Sequence, residues 1–294
     1  MTVTVVTDSA AALPADLVDR FGIRVVPLWL HIGDERHRDG DIGLEELVRR
    51  FGEPVSTAAP SPGEFATVIA EARLTGPVVV LTVAAGMSST HDAAKLAAKL
   101  VADDGADRDR GVDVAGQVDI EGHDVAVVDT GTAAGAQALV VLAAAEAAAA
   151  GGDLTTVLAA AERVAARVRL VATVADLERL ARSGRVPDAA RWIGDRLGVR
   201  PLFEFRDGRA RPLRPAFSVE AARDRIVQRC AADAPAGGRL HVTVLHALDP
   251  DAASDLVGRL AALRPASCLV GPFSPVMVAH TGRGLAGLAW WWEA

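Results

Sequence analysis

The chain has 294 residues, with 31 Lys and Arg against 38 Asp and Glu, and half of it is apolar. That length is close to the size at which a single hydrophobic core stops growing, which predicts two packed lobes. The formal net charge of −7, with no basic run, argues against a nucleic-acid binder. Two widely spaced cysteines, Cys230 and Cys268, supply neither a disulfide framework nor a cysteine-type zinc site.

The sequence contains no pattern typical of export or of membrane insertion. The first residues carry no basic stretch and reach Asp8 early, so a signal peptide is not expected. The most apolar stretch, 133–150, is rich in alanine and contains Gln137 and Glu146. A transmembrane helix needs about 20 strongly apolar residues. We therefore expect a soluble, cytoplasmic protein with no transmembrane segment.

Short β-branched runs alternate with alanine-rich helical stretches, a pattern typical of βα units around a parallel sheet. Strands are predicted over residues 3–6, 23–30, 78–83, 125–128, 170–173, 199–205, 210–213, 240–246, 268–270, 276–279 and 285–290. Helices are predicted over 14–21, 44–51, 62–73, 90–101, an alanine-rich segment up to 150, 154–166, 176–181, 188–197, 219–231 and 250–263. The predicted fold class is α/β, in two lobes that each contain a mainly parallel sheet flanked by helices.

Glycines at 151 and 152 mark the best candidate for a boundary between these lobes. The sequence thus predicts an N-terminal α/β lobe over 1–150 and a C-terminal α/β lobe over 151–294. Within the first lobe, residues 103–122 carry seven acidic residues against two Arg and show no apolar periodicity. We interpret this segment as an acidic surface insertion.

Three polar segments, 56–61, 87–90 and 280–282, follow a predicted strand or precede a predicted helix, where α/β proteins place their ligands. Free amides and the macrodipole at a helix start favour an anion near 87–90.

Each polar segment also has an ordinary structural interpretation. Ser88 and Ser89 fit helix capping equally well. His280 fits a partly buried histidine with satisfied hydrogen bonds, and Thr57 alone fits a turn.

Several short motifs occur in order along the chain. They are VVTDSAAALP at 5–14, GIRVVPL at 22–28, RDGDI at 38–42, TAAPSPGEF at 57–65, MSSTHDAA at 87–94, LARSGRV at 180–186 and HTGRG at 280–284. Together they resemble the DegV family, the acyl-binding subunits of bacterial fatty-acid kinases, over nearly the whole chain.

The resemblance implies a two-domain α/β protein that buries a long-chain fatty acid in a tunnel. Its carboxylate would be bound by residues at the matching motif positions, namely Thr57, Ser88, Ser89 and His280. Possible support for the head group comes from Thr90, Thr281 and Arg185. Hydroxyl groups, helix-start amides and an imidazolium are suitable partners for a carboxylate.

The resemblance also implies a non-catalytic subunit that presents the acyl carboxylate to a separate, dihydroxyacetone-kinase-like fatty-acid kinase. No metal and no cofactor besides the fatty acid is expected. Phe217 aligns with a surface Arg expected to meet the kinase, which puts that partnership in doubt.

Two alternatives remain open: an acyl hydrolase that uses Ser88 with His280 as base, and a carrier of another anionic amphiphile. The C-terminal Trp290, Trp291 and Trp292 fit either core packing or an exposed apolar patch.

Overall fold

The computed structural model describes residues 2–103, 124–175, 177–186, 199–206 and 208–294. Nearly all of the insertion predicted at 103–122 and the whole helix predicted at 188–197 lie outside the described residues. Within the described part of the chain, helices pack against sheets in both halves, which confirms the α/β class.

The strands and helices are numbered in chain order. The strands are β1 (Thr4–Asp8), β2 (Arg24–Val26), β3 (Trp29–Ile32), β4 (Glu35–Arg38), β5 (Val55–Ala58), β6 (Val78–Thr82), β7 (Val125–Asp129), β8 (Arg169–Thr173), β9 (Arg200–Arg206), β10 (Arg209–Ala216), β11 (Arg239–His246), β12 (Ser267–Pro272) and β13 (Ala286–Glu293). The helices are α1 (Ala15–Phe21), α2 (Leu44–Arg49), α3 (Pro62–Arg73), α4 (Thr90–Asp103), α5 (Ala134–Ala149), α6 (Leu154–Ala165), α7 (Leu177–Arg182), α8 (Val219–Ala232), α9 (Pro250–Leu260) and α10 (Pro275–Thr281).

The N-terminal half is built on a four-stranded sheet of order β2-β1-β6-β7, in which all neighbouring strands are parallel. Every residue of β6 is buried, as expected for a central strand covered on both faces. A smaller antiparallel sheet, β4-β3-β5, lies beside it. The mainly parallel sheet predicted for this half is therefore correct.

The C-terminal half contains a six-stranded sheet of order β10-β9-β8-β13-β11-β12. Only β11 and β12 run parallel, and the other neighbouring pairs are antiparallel. The mainly parallel sheet predicted for this half is wrong. The last strand, β13, enters the middle of the sheet between β8 and β11, so its spatial neighbours are not its neighbours in sequence.

Helix α5 packs against strands from both sheets, β1 and β6 on one side and β11 and β13 on the other. Twelve of its 16 residues are buried. A Cβ on Gly135 would lie 2.6 Å from the side chain of Leu245, so glycine is what allows the helix to lie directly on β11. The main core is continuous through this helix. A boundary near residue 150 stays a prediction.

The sequence predicts that the alanine-rich stretch at 133–150 is not a transmembrane helix. Within the described residues, no helix combines the length and the apolar character needed to cross a bilayer. Helix α3 begins as its sequence predicts, with a capping box in which the Ser61 hydroxyl accepts from the Glu64 amide while the Glu64 carboxylate accepts from the Ser61 amide.

Two other sequence predictions are wrong, and proline explains both. The strand predicted at 23–30 is divided between β2 and β3, which belong to different sheets, because Pro27 between them has no amide for a ladder. The strand predicted at 276–279 is helix α10, which has Ser274 at its N-cap and Pro275 in its first position.

The three tryptophans of β13 are packing residues. Trp290 is buried and donates through Nε1 to Asp233 at 3.0 Å. Trp291 is buried and stacks on His241, with 4.9 Å between the ring centroids. Trp292 donates to the Cys230 carbonyl at 3.0 Å. The core-packing interpretation is therefore correct, and the exposed-patch interpretation is wrong.

Candidate functional site

A cavity opens where the two halves of the chain meet. The space between its walls, which includes open solvent at the mouth, is about 870 Å³. The inner wall is apolar and is formed by Ala10, Leu28, Val83, Ala133, Ala134, Leu170, Leu180, Val186, Phe203, Phe205, Ala210, Phe273, Val276 and Leu285. Such a wall suits an apolar chain better than a polar metabolite.

Polar groups gather on one part of the lining. Thr57 on β5 and His280 on α10 approach from opposite halves of the chain, with 3.0 Å between Thr57 Oγ1 and His280 Nε2. The Arg185 guanidinium donates to the same threonine oxygen at 3.3 Å. It also donates to the Ser183 carbonyl at 2.8 Å, which fixes its direction. Three residues predicted for the site therefore touch one another.

Ser88 joins these residues in the cavity lining, immediately before α4. Its Oγ lies 2.8 Å from Thr90 Oγ1 and accepts from the Thr90 amide at 3.3 Å. Ser88 therefore also makes local hydrogen bonds in the turn before α4. Because a hydroxyl has one proton and two lone pairs, Ser88 can still donate to a ligand when Thr90 donates to it.

The remaining predicted residues are placed less favourably. Ser89 is exposed and does not line the cavity. Thr90 is fully buried and reaches the site only through Ser88. Thr281 lines the cavity, but its hydroxyl donates to the Met277 carbonyl at 3.1 Å. Its single proton is therefore already engaged. Which of these residues contact a ligand stays a prediction.

The electrostatics of the site depend on one histidine and one arginine. Burial, with a smaller effect of the nearby Arg185 charge, lowers the pKa of His280 to about 4. The imidazole is therefore neutral near pH 7, and the positive charge at the site is that of Arg185. Among the described residues that line the cavity, no carboxylate faces this charge. The site is suited to receive an anion.

Helix α10 is the element that the sequence described least well. Val276, Met277, His280 and Thr281 all line the cavity, and helical spacing brings them to one face of α10. The interpretation of 276–279 as a strand placed His280 after a strand instead of in the last turn of a helix.

Sequence reasoning also missed two aromatic wall residues and one polar one. Phe203 and Phe205 are two positions apart on β9, so they share a face of the strand. That alternation was visible in the sequence. Ser183 lies in the 180–186 motif and lines the cavity beside Arg185. The sequence contains no separate signal for Ser183, and only its position in the structure shows that it lines the cavity.

The contacts at the site do not favour the hydrolase alternative. Within the described residues, no hydrogen bond joins Ser88 to His280, and no carboxylate bonds the imidazole. A serine nucleophile needs both a base and an orienting acid. The same part of the chain contains no cluster of three or more His, Cys, Asp or Glu side chains able to hold a metal ion.

The fold and the cavity together define a class: an α/β protein with a mostly apolar cavity whose lining includes hydroxyl groups, an imidazole and a guanidinium. A family profile described as "uncharacterised protein, DegV family" matches residues 2–293. The chain belongs to the DegV family.

Related proteins and solved structures agree with this assignment. A DegV domain-containing protein of Streptomyces coelicolor is 37% identical over 294 residues, which covers 97% of each chain. A DegV family protein of Thermus thermophilus, described by its fatty-acid binding, superposes with a TM-score of 0.87 at 31% identity and 99% coverage of each chain. DegV of Bacillus subtilis, described as a fatty acid binding protein, gives 0.83 at 25% identity and full coverage.

Proposed function

We propose that this protein binds a long-chain fatty acid, with its acyl chain in the apolar part of the cavity. The observation that carries the proposal is a mostly apolar lining that also holds hydroxyl groups and an arginine, with no acidic side chain among the described lining residues. Each buried CH₂ contributes about 0.8 kcal/mol, so a 16-carbon chain supplies on the order of 10 kcal/mol before ordering costs. The fatty-acid binding described for the related Thermus and Bacillus proteins supports this ligand class.

The carboxylate would lie among Thr57, Ser88 and Arg185. Two hydroxyl donors from the N-terminal half and a guanidinium from the C-terminal half offer charge-assisted hydrogen bonds. His280, neutral at pH 7, would donate to or accept from the Thr57 hydroxyl and so set the direction of that hydroxyl. In this role the histidine acts through Thr57, and the anion's charge is matched by Arg185.

We further propose that the chain is not itself an enzyme and presents the carboxylate to a separate kinase subunit that forms the acyl phosphate, in the cytoplasm. The exposure of the Arg185 side chain supports this idea, because a carboxylate bound beside it would lie near the protein surface. Phe217, just after β10, is 75% exposed. An exposed phenylalanine at the position where the family resemblance expects an arginine would make a docking surface here more apolar.

The fatty-acid proposal is tested by native mass spectrometry and lipid extraction of the purified protein, followed by titration of the lipid-free protein with a fluorescent fatty acid. We expect one fatty acid per chain. Thr57→Val and Ser88→Ala should each weaken affinity about tenfold, as loss of a hydrogen bond to a charged group predicts. Ser56→Ala, an exposed neighbour on β5, is the matched control.

Other outcomes would contradict parts of the proposal. Protein without lipid that also fails to bind fatty acid would refute it. A different bound amphiphile would replace the ligand class and keep the cavity as the site. Ester turnover that disappears in Ser88→Ala would favour the hydrolase. Acyl-phosphate formation with and without a candidate kinase subunit tests the presentation step separately.

A further inference from the structure

Helix α10 begins without the cap that its own sequence offers. Ser274 occupies the N-cap position, but its side chain makes no capping hydrogen bond. The amide of Val276 in the first turn instead donates to Asp39 Oδ1 at 3.0 Å. Asp39 precedes Val276 by 237 residues and follows β4 in the other half of the chain. A carboxylate at a helix start is favoured both as acceptor and as a negative charge near the positive end of the macrodipole.

Asp39 is also tied to the opposite wall of the cavity. Its own amide donates to the Leu28 carbonyl at 2.8 Å, and the Leu28 amide donates to Ser9 Oγ at 3.0 Å. Leu28 and Ala10, next to Ser9, both line the cavity. Through its amide and its side chain, Asp39 therefore joins the segment that contains Leu28 to the helix that carries His280.

The surroundings of Asp39 are unusual for a carboxylate. Burial raises its pKa, an effect opposed by the hydrogen bond that the Val276 amide donates to Oδ1. The other carboxylate oxygen, Oδ2, has no hydrogen-bond partner among the described residues. The ion pairs found among the described residues do not include Asp39. A partly buried carboxylate without a cation is costly unless hydrogen-bond donors satisfy it. Here the donor is an amide in the first turn of the helix that carries His280.

We propose that Asp39 is a positioning residue, which holds the start of α10 so that His280 stays within hydrogen-bonding distance of Thr57. Its effect on fatty-acid affinity rests on the proposed function. Its effect on the His280 environment does not, because the Thr57–His280 contact exists without a ligand.

The test compares Asp39→Asn, which keeps an acceptor, with Asp39→Leu, which has a similar size and no acceptor. Asp41→Ala is the matched control, because Asp41 is an exposed carboxylate of the same loop that accepts from the Arg38 amide. The first measurement is an NMR titration of the His280 ring in lipid-free protein, and the second is fatty-acid affinity.

In Asp39→Leu we expect the His280 pKa to rise from about 4 toward the ordinary value of about 6.5, and the affinity to fall about tenfold. Asp39→Asn and Asp41→Ala should resemble the wild type in both measurements. Unchanged His280 titration and affinity in a folded Asp39→Leu protein would overturn the inference. If neither the wild type nor any variant binds fatty acid, but the His280 pKa still rises in Asp39→Leu, the proposed function fails and the inference stands.

A measurement on the wild type covers the case in which Asp39→Leu does not fold. The Val276 amide ¹⁵N shift should follow the titration of the Asp39 carboxyl, and this amide should be protected from hydrogen exchange. If the Val276 amide exchanges freely with solvent and its ¹⁵N shift does not change as Asp39 titrates, the positioning role is refuted.

Discussion

The pH dependence of folding should carry a contribution from His280. Its pKa is about 4 in the folded protein, mainly because of burial and then because of Arg185, whereas an unfolded chain has an ordinary imidazole with a pKa of about 6.5. Between these values the unfolded state binds a proton that the folded state does not, so acidification favours unfolding. From pH 7 to pH 5 this histidine alone should lower the free energy of unfolding by about 2 kcal/mol.

The perturbation that isolates this contribution is His280→Gln. Glutamine does not titrate, and its amide can still bond the Thr57 hydroxyl. A comparison with a variant is necessary because Asp8 acts in the opposite direction. Burial raises the pKa of Asp8 to about 6, so its carboxyl takes up a proton in the folded state first and stabilises the fold as the pH falls. Asp8 is present in both proteins, so its contribution cancels in the difference.

The assay is urea denaturation of lipid-free protein at pH 7 and pH 5, followed by the fluorescence of the five tryptophans. Wild type should lose about 2 kcal/mol more stability on acidification than His280→Gln. Equal losses, within about 0.5 kcal/mol, would refute the argument that burial keeps this imidazole neutral. Direct titration of the ring by NMR should then give a value near 6.5.

Two further predictions concern the charge at the site and the packing of the C-terminal sheet. Arg185→Gln should raise the His280 pKa only in part, because burial is the larger cause, and should weaken fatty-acid affinity by about threefold to tenfold. Arg182→Gln, on the exposed end of α7, is its control, and equal affinities for the two variants would contradict a head-group role for Arg185. Gly287→Ala should destabilise the fold by about 3 kcal/mol or more in urea denaturation, because the new Cβ would lie 2.6 Å from the Ala172 Cβ and the Val171 carbonyl. Gly52→Ala, with open space around the new Cβ, should be nearly neutral, and a tolerated Gly287→Ala would mean that β8 and β13 can separate.

Local signals in the sequence located several elements and residues well. The Ser-Pro-Gly-Glu run at 61–64 specifies a helix start, because its capping box is complete within one turn. The residues at 57, 88 and 280 were selected from short motifs, and the structure brings all three to one cavity. These successes depend on interactions within a few residues or on the family pattern, both of which a sequence displays directly.

Only the tertiary structure decided how distant segments meet. The β-branched runs of the second half predicted strands, but not that β13 would run antiparallel between β8 and β11, because strand direction depends on which segments become neighbours. The acidic residue at 39 had no assigned role in the sequence, since its partner is an amide 237 positions away.

The protonation state of His280 also depends on tertiary packing. The sequence determined that an imidazole, two hydroxyls and an arginine are available to bind an anion. It could not show that the imidazole is neutral, because its pKa depends on burial by both halves of the chain and on the Arg185 charge. The sequence by itself thus determined the chemical groups of this site, and packing decided their distances and their charges.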